Sequence, residues 1–207
     1  MTNGWDFNSP SNNGNKSEFT KFPVGVTRIR IVDGEPFQRW THWMQQFKRT
    51  INCPGKGCPI CEIRKRQKAN KEPYTYNVTK RIAIQILNRE TEKLEIMEQG
   101  KTFFEDLRDI MEDLYDQDKK LIDVDIKVKR RGEGKDDTSY RLDIDKEYPL
   151  TENDKELIKN KIDLKEFFKP HEIDKITQLI NGEKWEDVMY ENNESDNPDN
   201  DEEIEIS

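Results

Sequence analysis

Val24-Gly25-Val26-Thr27-Arg28-Ile29-Arg30-Ile31-Val32 alternates β-branched residues with arginines, the period of two that a strand with one buried face requires. Asp33-Gly34 follows as a turn signal, and the aromatic-rich residues 37–47 read as a second strand. Further along, Ile82, Ile84 and Ile86 alternate within residues 76–87, and Asn88-Arg89-Glu90-Thr91-Glu92 turns the chain into a partner strand over 93–99. A third strand pair, 122–130 and 138–145, flanks the turn Arg131-Gly132-Glu133-Gly134-Lys135. Between these pairs, Phe103, Phe104, Leu107, Ile110, Met111 and Leu114 recur at helical spacing, so residues 101–115 are predicted as an amphipathic helix. Two short helical patterns, 152–161 and 170–180, come before Trp185 and Met189. The predicted class is therefore mainly β with added helices.

Composition limits what surrounds this framework. Of the 207 residues, 32% are hydrophobic and 38% charged, which fits one modest domain with solvated extensions. Residues 1–20, rich in Asn, Ser and Gly, read as a flexible arm; 21–190 as the domain, with a metal subdomain over about 42–72; and 191–207 as a disordered acidic tail. The polar start lacks the apolar segment of a signal peptide and no stretch reaches the length of a membrane span, so a cytoplasmic protein without a membrane partner is expected.

The net charge of −8 conceals an uneven distribution. Residues 191–207 hold eight acids and no base, leaving 35 acids and 35 bases in 1–190. Within that neutral part, residues 1–89 carry 16 Lys and Arg against six Asp and Glu. A local basic surface of this kind, rather than the overall charge, is what binds phosphates.

All three cysteines fall within nine residues, Cys53-Pro-Gly-Lys-Gly-Cys58-Pro-Ile-Cys61. An odd number so close together is no disulfide framework, and metal ligation is the better reading. The two-residue gap between Cys58 and Cys61 suits one zinc ion, Cys53 adds a third thiolate, and His42 is the natural fourth ligand with His171 as the fallback. The competing readings are three buried free thiols, and a Cys58–Cys61 redox pair that would leave Cys53 without a role. With four ligands filling the shell and no glutamate placed among them as in hydrolytic or deaminase signatures, one structural Zn2+ and no enzyme activity are expected.

Basic and aromatic residues interleave around this motif: Arg39, Trp40, Trp43, Phe47, Lys48 and Arg49 before it, then Arg64, Lys65, Arg66, Lys68, Lys71, Tyr74, Tyr76, Lys80 and Arg81 after it. Cations neutralise a sugar-phosphate backbone while exposed rings stack on unpaired bases, so the mixture suits single strands. The alternative for Trp40, Trp43, Phe47 and Tyr76 is ordinary core, because alternation turns half of each strand inward.

The segment THWMQQFKRTINCPGKGCPIC, with a basic helix after it and DVDIKVKRRGEGKDDTSYRLDI further on, resembles the zinc-containing single-stranded DNA-binding proteins of tailed phages across roughly residues 20–150. The resemblance implies an OB-fold, a five-stranded Greek-key barrel with an inserted zinc-binding loop. It also implies non-specific, cooperative coating of single strands in replication, recombination and repair, inside an infected host bacterium. His42, Cys53, Cys58 and Cys61 match the family's ligands, and the hairpin of Lys129, Arg130 and Arg131 with Tyr140 matches the strand pair that borders its DNA groove. The family's acidic tail recruits replication and recombination proteins, which places Asp201, Glu202, Glu203, Ile204, Glu205 and Ile206 in a docking or strand-mimicking role. In one departure, residues 1–15 contain no Lys or Arg, where the family's basic arm drives cooperativity. Two other classes compete: an RNA-binding or transcription-regulating module on the same barrel and zinc, and an adaptor whose acidic half occupies a basic partner.

Overall fold

The computed structural model describes residues 18–134 and 136–190. The tail positions Asp201, Glu202, Glu203, Ile204, Glu205 and Ile206, and residues 1–17 of the expected arm, lie outside the described residues.

Eight strands and six helices are described, a mixed α+β architecture. In chain order they are β1 (Glu18–Phe19), β2 (Gly25–Ile31), β3 (Phe37–Met44), β4 (Arg49–Asn52), α1 (Pro59–Asn70), β5 (Asn77–Asn88), β6 (Lys93–Gln99), α2 (Lys101–Tyr115), β7 (Val124–Arg131), β8 (Ser139–Glu147), α3 (Glu152–Lys159), α4 (Leu164–Phe167), α5 (Ile173–Ile180) and α6 (Trp185–Tyr190). The chain divides into two compact units, one of residues up to 38 and 81–167, the other of residues 39–80 and 168 onward.

The first unit holds a sheet in the order β1-β6-β5-β2-β7-β8, antiparallel throughout except for β1, which pairs parallel to β6. It is an open path: among the described residues no pairing joins β1 to β8, so the closure that a barrel needs is not part of it. The end of the expected arm is itself β1, held through Glu18 opposite Glu95 and Phe19 opposite Ile96. Alternation along β2 sends Ile29 and Ile31 into a core with Ile84, Ile86, Ile126 and Val128, and α2 lays Phe103, Leu107 and Leu114 into the same core. Each such aliphatic side chain, fully removed from water, contributes about 1.5–3 kcal/mol.

Arg30, which the alternation assigns to the other face of β2, is not on the surface at all: its relative exposure is 0%. Its Nε donates to Asp125 at 2.5 Å, and its terminal nitrogens donate to the carbonyls of Ile122 and Tyr148 at 2.8–3.1 Å. Asp125 also receives a fork from Arg89, whose remaining nitrogen donates to Asp154 at 2.8 Å. A charge buried this way is tolerable only because every donor has a partner.

Asp154 ties this network to α3. The Thr151 amide donates to its carboxylate at 3.0 Å and its own amide donates to the Thr151 hydroxyl at 3.1 Å, a reciprocal cap on the helix start. Burial pushes the Asp154 carboxyl up, but the bonds from Thr151 and Arg89 outweigh it and hold the group below the usual carboxylate range. A depressed folded value means stability that is present above the unfolded pKa of about 3.9 and is lost as the pH falls through the folded value. Urea unfolding of Asp154→Asn and the native protein is therefore expected to show a stability gap that is constant above about pH 5 and shrinks below about pH 4. A gap of the same size at pH 3 and pH 7 would contradict this role.

Candidate metal centre

The second unit builds its site from a hairpin, a loop and a helix start. Residues 37–47 read as one strand in the sequence, but β3 stops at Met44 and a turn through Lys48, at φ +52°, reverses the chain into β4. The register sets His42 opposite Ile51 and Thr41 opposite Asn52, and the Cys53 amide donates to the Trp40 carbonyl at 2.9 Å. This pairing explains the spacing: with ten residues between them in sequence, His42 on β3 and Cys53 just past the end of β4 are brought side by side by the hairpin.

Cys53 to Cys58 is a tight loop with Gly55 at φ +81° and Gly57 at φ +79°, the left-handed conformation that L side chains disfavour. The Gly55 amide donates to Cys53 Sγ at 3.3 Å, and the Cys58 amide donates to the Gly55 carbonyl at 3.3 Å. Cys58 is then the N-cap of α1, Pro59 takes the first helical position, where its missing N–H costs nothing, and Cys61 sits in the first turn.

His42 Nε2 and the sulfurs of Cys53, Cys58 and Cys61 converge until all four lie within 4.8 Å of one another, a set that could hold one metal ion. Nε2 is 3.3 Å from Cys58 Sγ and 3.7 Å from Cys61 Sγ, and Cys53 Sγ is 3.7 Å from Cys61 Sγ. His42 and Cys58 are fully buried; Cys53 and Cys61 are half-buried. Met44, Ile51 and Ile60 close around them, and α5 and α6 complete the core with Ile176, Leu179, Trp185 and Val188.

The donor set has the protonation chemistry of a cation site. Burial, followed by the electrostatic influence of the Arg64 guanidinium, pushes the His42 imidazole down, so it is neutral at pH 7 and keeps a lone pair to give. Burial first, then the adjacent sulfurs, push the Cys61 thiol up to about 12, and burial likewise raises Cys58. Three sulfurs so close cannot all ionise by themselves, but a dication among them reverses that penalty and deprotonates them. With Nε2 facing the sulfurs, the neutral tautomer leaves its proton on Nδ1, which is buried and without a hydrogen-bond partner among the described residues.

His171, the fallback ligand, is used elsewhere. Its Nδ1 accepts from the Asn52 amide at 2.9 Å and its own amide donates to the Asn52 carbonyl at 3.1 Å, so it extends the β4 edge instead of joining the cluster. Asn52 also receives Arg39 Nε at 3.1 Å, and that guanidinium lies 3.5 Å above the Phe168 ring. Nothing in the spacing of the sequence marks Asn52 or Phe168; the apolar period Ile173, Ile176, Leu179, Ile180 was the readable sign that α5 has a core to join.

The basic and aromatic residues divide between the two units. In the metal unit, residues 39–80 and 168–190 carry 13 Lys and Arg against seven Asp and Glu. Trp40 is 54% exposed and Tyr74 46%, with the Arg64 guanidinium 4.0 Å over the Tyr74 ring. Trp43 is half-buried with its indole N–H on the Gln45 side chain at 2.7 Å, while Tyr76 takes the other alternative and joins the core. Lys48, Arg66 and Lys80 are exposed, Arg49 is half-buried, and Lys65 pairs with Glu62 along α1. In the sheet unit, Arg81 pairs with Glu98, and Lys129 and Arg131 are exposed. There Arg130 donates to the Phe22 carbonyl at 2.6 Å, and Tyr140 packs edge-on against Phe22 and Phe103. Among the described residues no helix is long and apolar enough to cross a membrane.

No protein-family model matches this sequence, and no curated protein matches it either.

Proposed function

We propose that this chain binds single-stranded DNA without strong sequence preference, in replication, recombination and repair, through the basic face of a zinc-braced unit. The observation that carries the reading is the combination, within residues 39–80, of ten Lys and Arg against two acids with two rings, Trp40 and Tyr74, that the fold leaves exposed. Cations on the backbone and rings on the bases are the two terms of single-strand affinity, and a duplex hides the bases from the second.

Zinc is the proposed ion. Tetrahedral zinc with Zn–S of about 2.3 Å and Zn–N of about 2.0–2.1 Å sets sulfurs about 3.8 Å apart and nitrogen about 3.6 Å from sulfur. The S–S distance of 3.7 Å and the N–S distances of 3.3 and 3.7 Å support that fit. The ion's part is structural: His42, Cys53, Cys58 and Cys61 would hold the hairpin to the start of α1, so that Arg66, Lys68 and their neighbours are presented on a fixed helix. An OB-type relationship for the sheet unit, with Lys129, Arg131 and Tyr140 along its β7–β8 hairpin, belongs to the same proposal, as do tail docking of partner proteins, self-association on DNA and a place in the bacterial cytoplasm.

The discriminating experiment is a fluorescence anisotropy titration of labelled oligo-dT, with unlabelled single-stranded RNA and duplex DNA as competitors. Oligo-dT is expected to bind at micromolar concentration or tighter, with duplex a weaker competitor. RNA competing better than DNA would transfer the reading to an RNA-binding module, and no binding at all would refute it.

A further inference from the structure

Helix α1 ends at Asn70, and Lys71, at φ +58°, turns the chain back so that the Glu72 amide donates to the Gln67 carbonyl at 2.8 Å. Two side chains of α1 then grip the connection to β5. Gln67 donates through Nε2 to the Thr75 hydroxyl at 2.7 Å and accepts from the Thr75 amide at 3.2 Å. Arg64, three residues earlier and so on the neighbouring turn, donates to the Tyr76 carbonyl at 3.2 Å. Tyr76 itself is packed into the core of the metal unit. Tyr74 is thus followed by two anchored residues, although its own side chain stays exposed.

The Arg64 guanidinium lies 4.0 Å from the centroid of the Tyr74 ring, a cation–π contact that covers one face. The 46% exposure of Tyr74 therefore belongs to its opposite face and its edge. An exposed ring on a connection ordinarily samples several rotamers, and ordering it on binding costs affinity. Here the ring is ordered before any ligand arrives, with a flat surface left for a base to stack on. Cys61, Arg64 and Gln67 follow one another at intervals of three along α1, so the helix that carries a metal ligand also carries both grips.

We infer that Arg64 is a positioning residue for base stacking: it sets the Tyr74 ring as a platform with one face open, and it acts through that ring instead of on the sugar-phosphate backbone. The inference rests on the single-stranded DNA reading and divides the ten Lys and Arg of residues 39–80 by role. Arg66 and Lys68 are exposed on the same helix and remain for phosphates. Arg64 is half-buried, with one nitrogen on the Tyr76 carbonyl and its plane against the ring, so a phosphate has little of it to reach. Stacking accepts any base, so the platform adds affinity for unpaired strands without adding sequence preference.

Anisotropy titrations of labelled oligo-dT and of an abasic oligomer of the same length, across a salt series, test the assignment. Tyr74→Ala is expected to bind oligo-dT about tenfold more weakly, the scale of one stacked base, and to bind the abasic strand as the native protein does. Arg64→Met keeps an apolar stem on a good helix former. It should weaken oligo-dT binding roughly threefold, as loss of an exposed cation–π contact implies, with an unchanged slope of log K against log salt. Lys68→Gln, by contrast, should flatten that slope by about 0.7. In the Tyr74→Ala background, Arg64→Met should cost nothing further. A slope flattened by Arg64→Met, or a loss of the same size in both backgrounds, would make Arg64 a phosphate contact and overturn the inference. An Arg64→Met protein that melts well below the native one would make the residue purely structural and overturn it too. If Tyr74→Ala binds oligo-dT as tightly as the native protein, the platform fails and the DNA reading survives; if the native protein binds neither strand, both fail.

Discussion

If the four donors hold an ion as proposed, removing it is expected to unfold the second unit, and no other perturbation should cost the protein more. The core of that unit comprises Met44, Ile51, Ile60, Tyr76, Ile176, Leu179, Trp185 and Val188 together with the cysteines themselves, so the ligand set lies in the middle of what must stay packed. Structural zinc supplies roughly 10–16 kcal/mol of apparent binding free energy in small domains, which is folding free energy when the unfolded chain holds no site. A strong chelator should therefore erase amide-exchange protection from β4, α1 and α5, while β2, β5 and β7, with a separate core, keep theirs. His42→Ala and Cys58→Ser should reproduce the loss, and metal analysis of the native protein should give about one zinc per chain. Full protection in the chelator would show that the four donors are no more than a packed cluster.

The second largest effect belongs to the buried charges of the sheet unit. Asp125 is the shared acceptor for Arg30 and Arg89, and Asp125→Asn leaves two guanidinium groups facing a neutral amide where water cannot replace the lost charge. Breaking one partner out of a buried ion network costs about 3–5 kcal/mol. Arg30→Met should cost less, because Asp125 keeps Arg89 and methionine fills much of the arginine's length with apolar atoms; its losses are the bonds to the Ile122 and Tyr148 carbonyls. Urea denaturation of the three proteins at neutral pH checks the order. Asp125→Asn as stable as Arg30→Met would mean that the network contributes little.

The sequence made the framework readable where pattern and local structure agree. The 82–86 alternation lies inside β5 and residues 101–115 coincide with α2, although Ala83 and Gln85 are buried as deeply as the isoleucines and Met111 is exposed. The four-ligand cluster was readable for a different reason: Cys and His in that spacing serve few purposes besides ligation. What escaped depended on long-range packing. The β3–β4 reversal at Lys48 carries no Gly or Asn to mark a left-handed residue, so 37–47 looked like one strand. Arg30 looked like surface charge because its acceptors come from 92 residues away and beyond. The order β1-β6-β5-β2-β7-β8 leaves its two end strands unpaired with each other, where a five-stranded barrel was expected from resemblance; alternation specifies which face is buried and not which strands meet. The contribution of α5 and α6 to the metal unit, more than 100 residues after α1, was unreadable for the same reason.

Binding of oligo-dT measured across a salt series, with native and metal-stripped protein, bears most directly on the idea that a metal-held basic surface grips bare strands. Native protein should lose affinity with log-log slope of about −0.7 for each phosphate it neutralises, and stripped protein should lose most of its affinity at every salt concentration. Binding that is absent, indifferent to salt, or equally strong without the metal would contradict it.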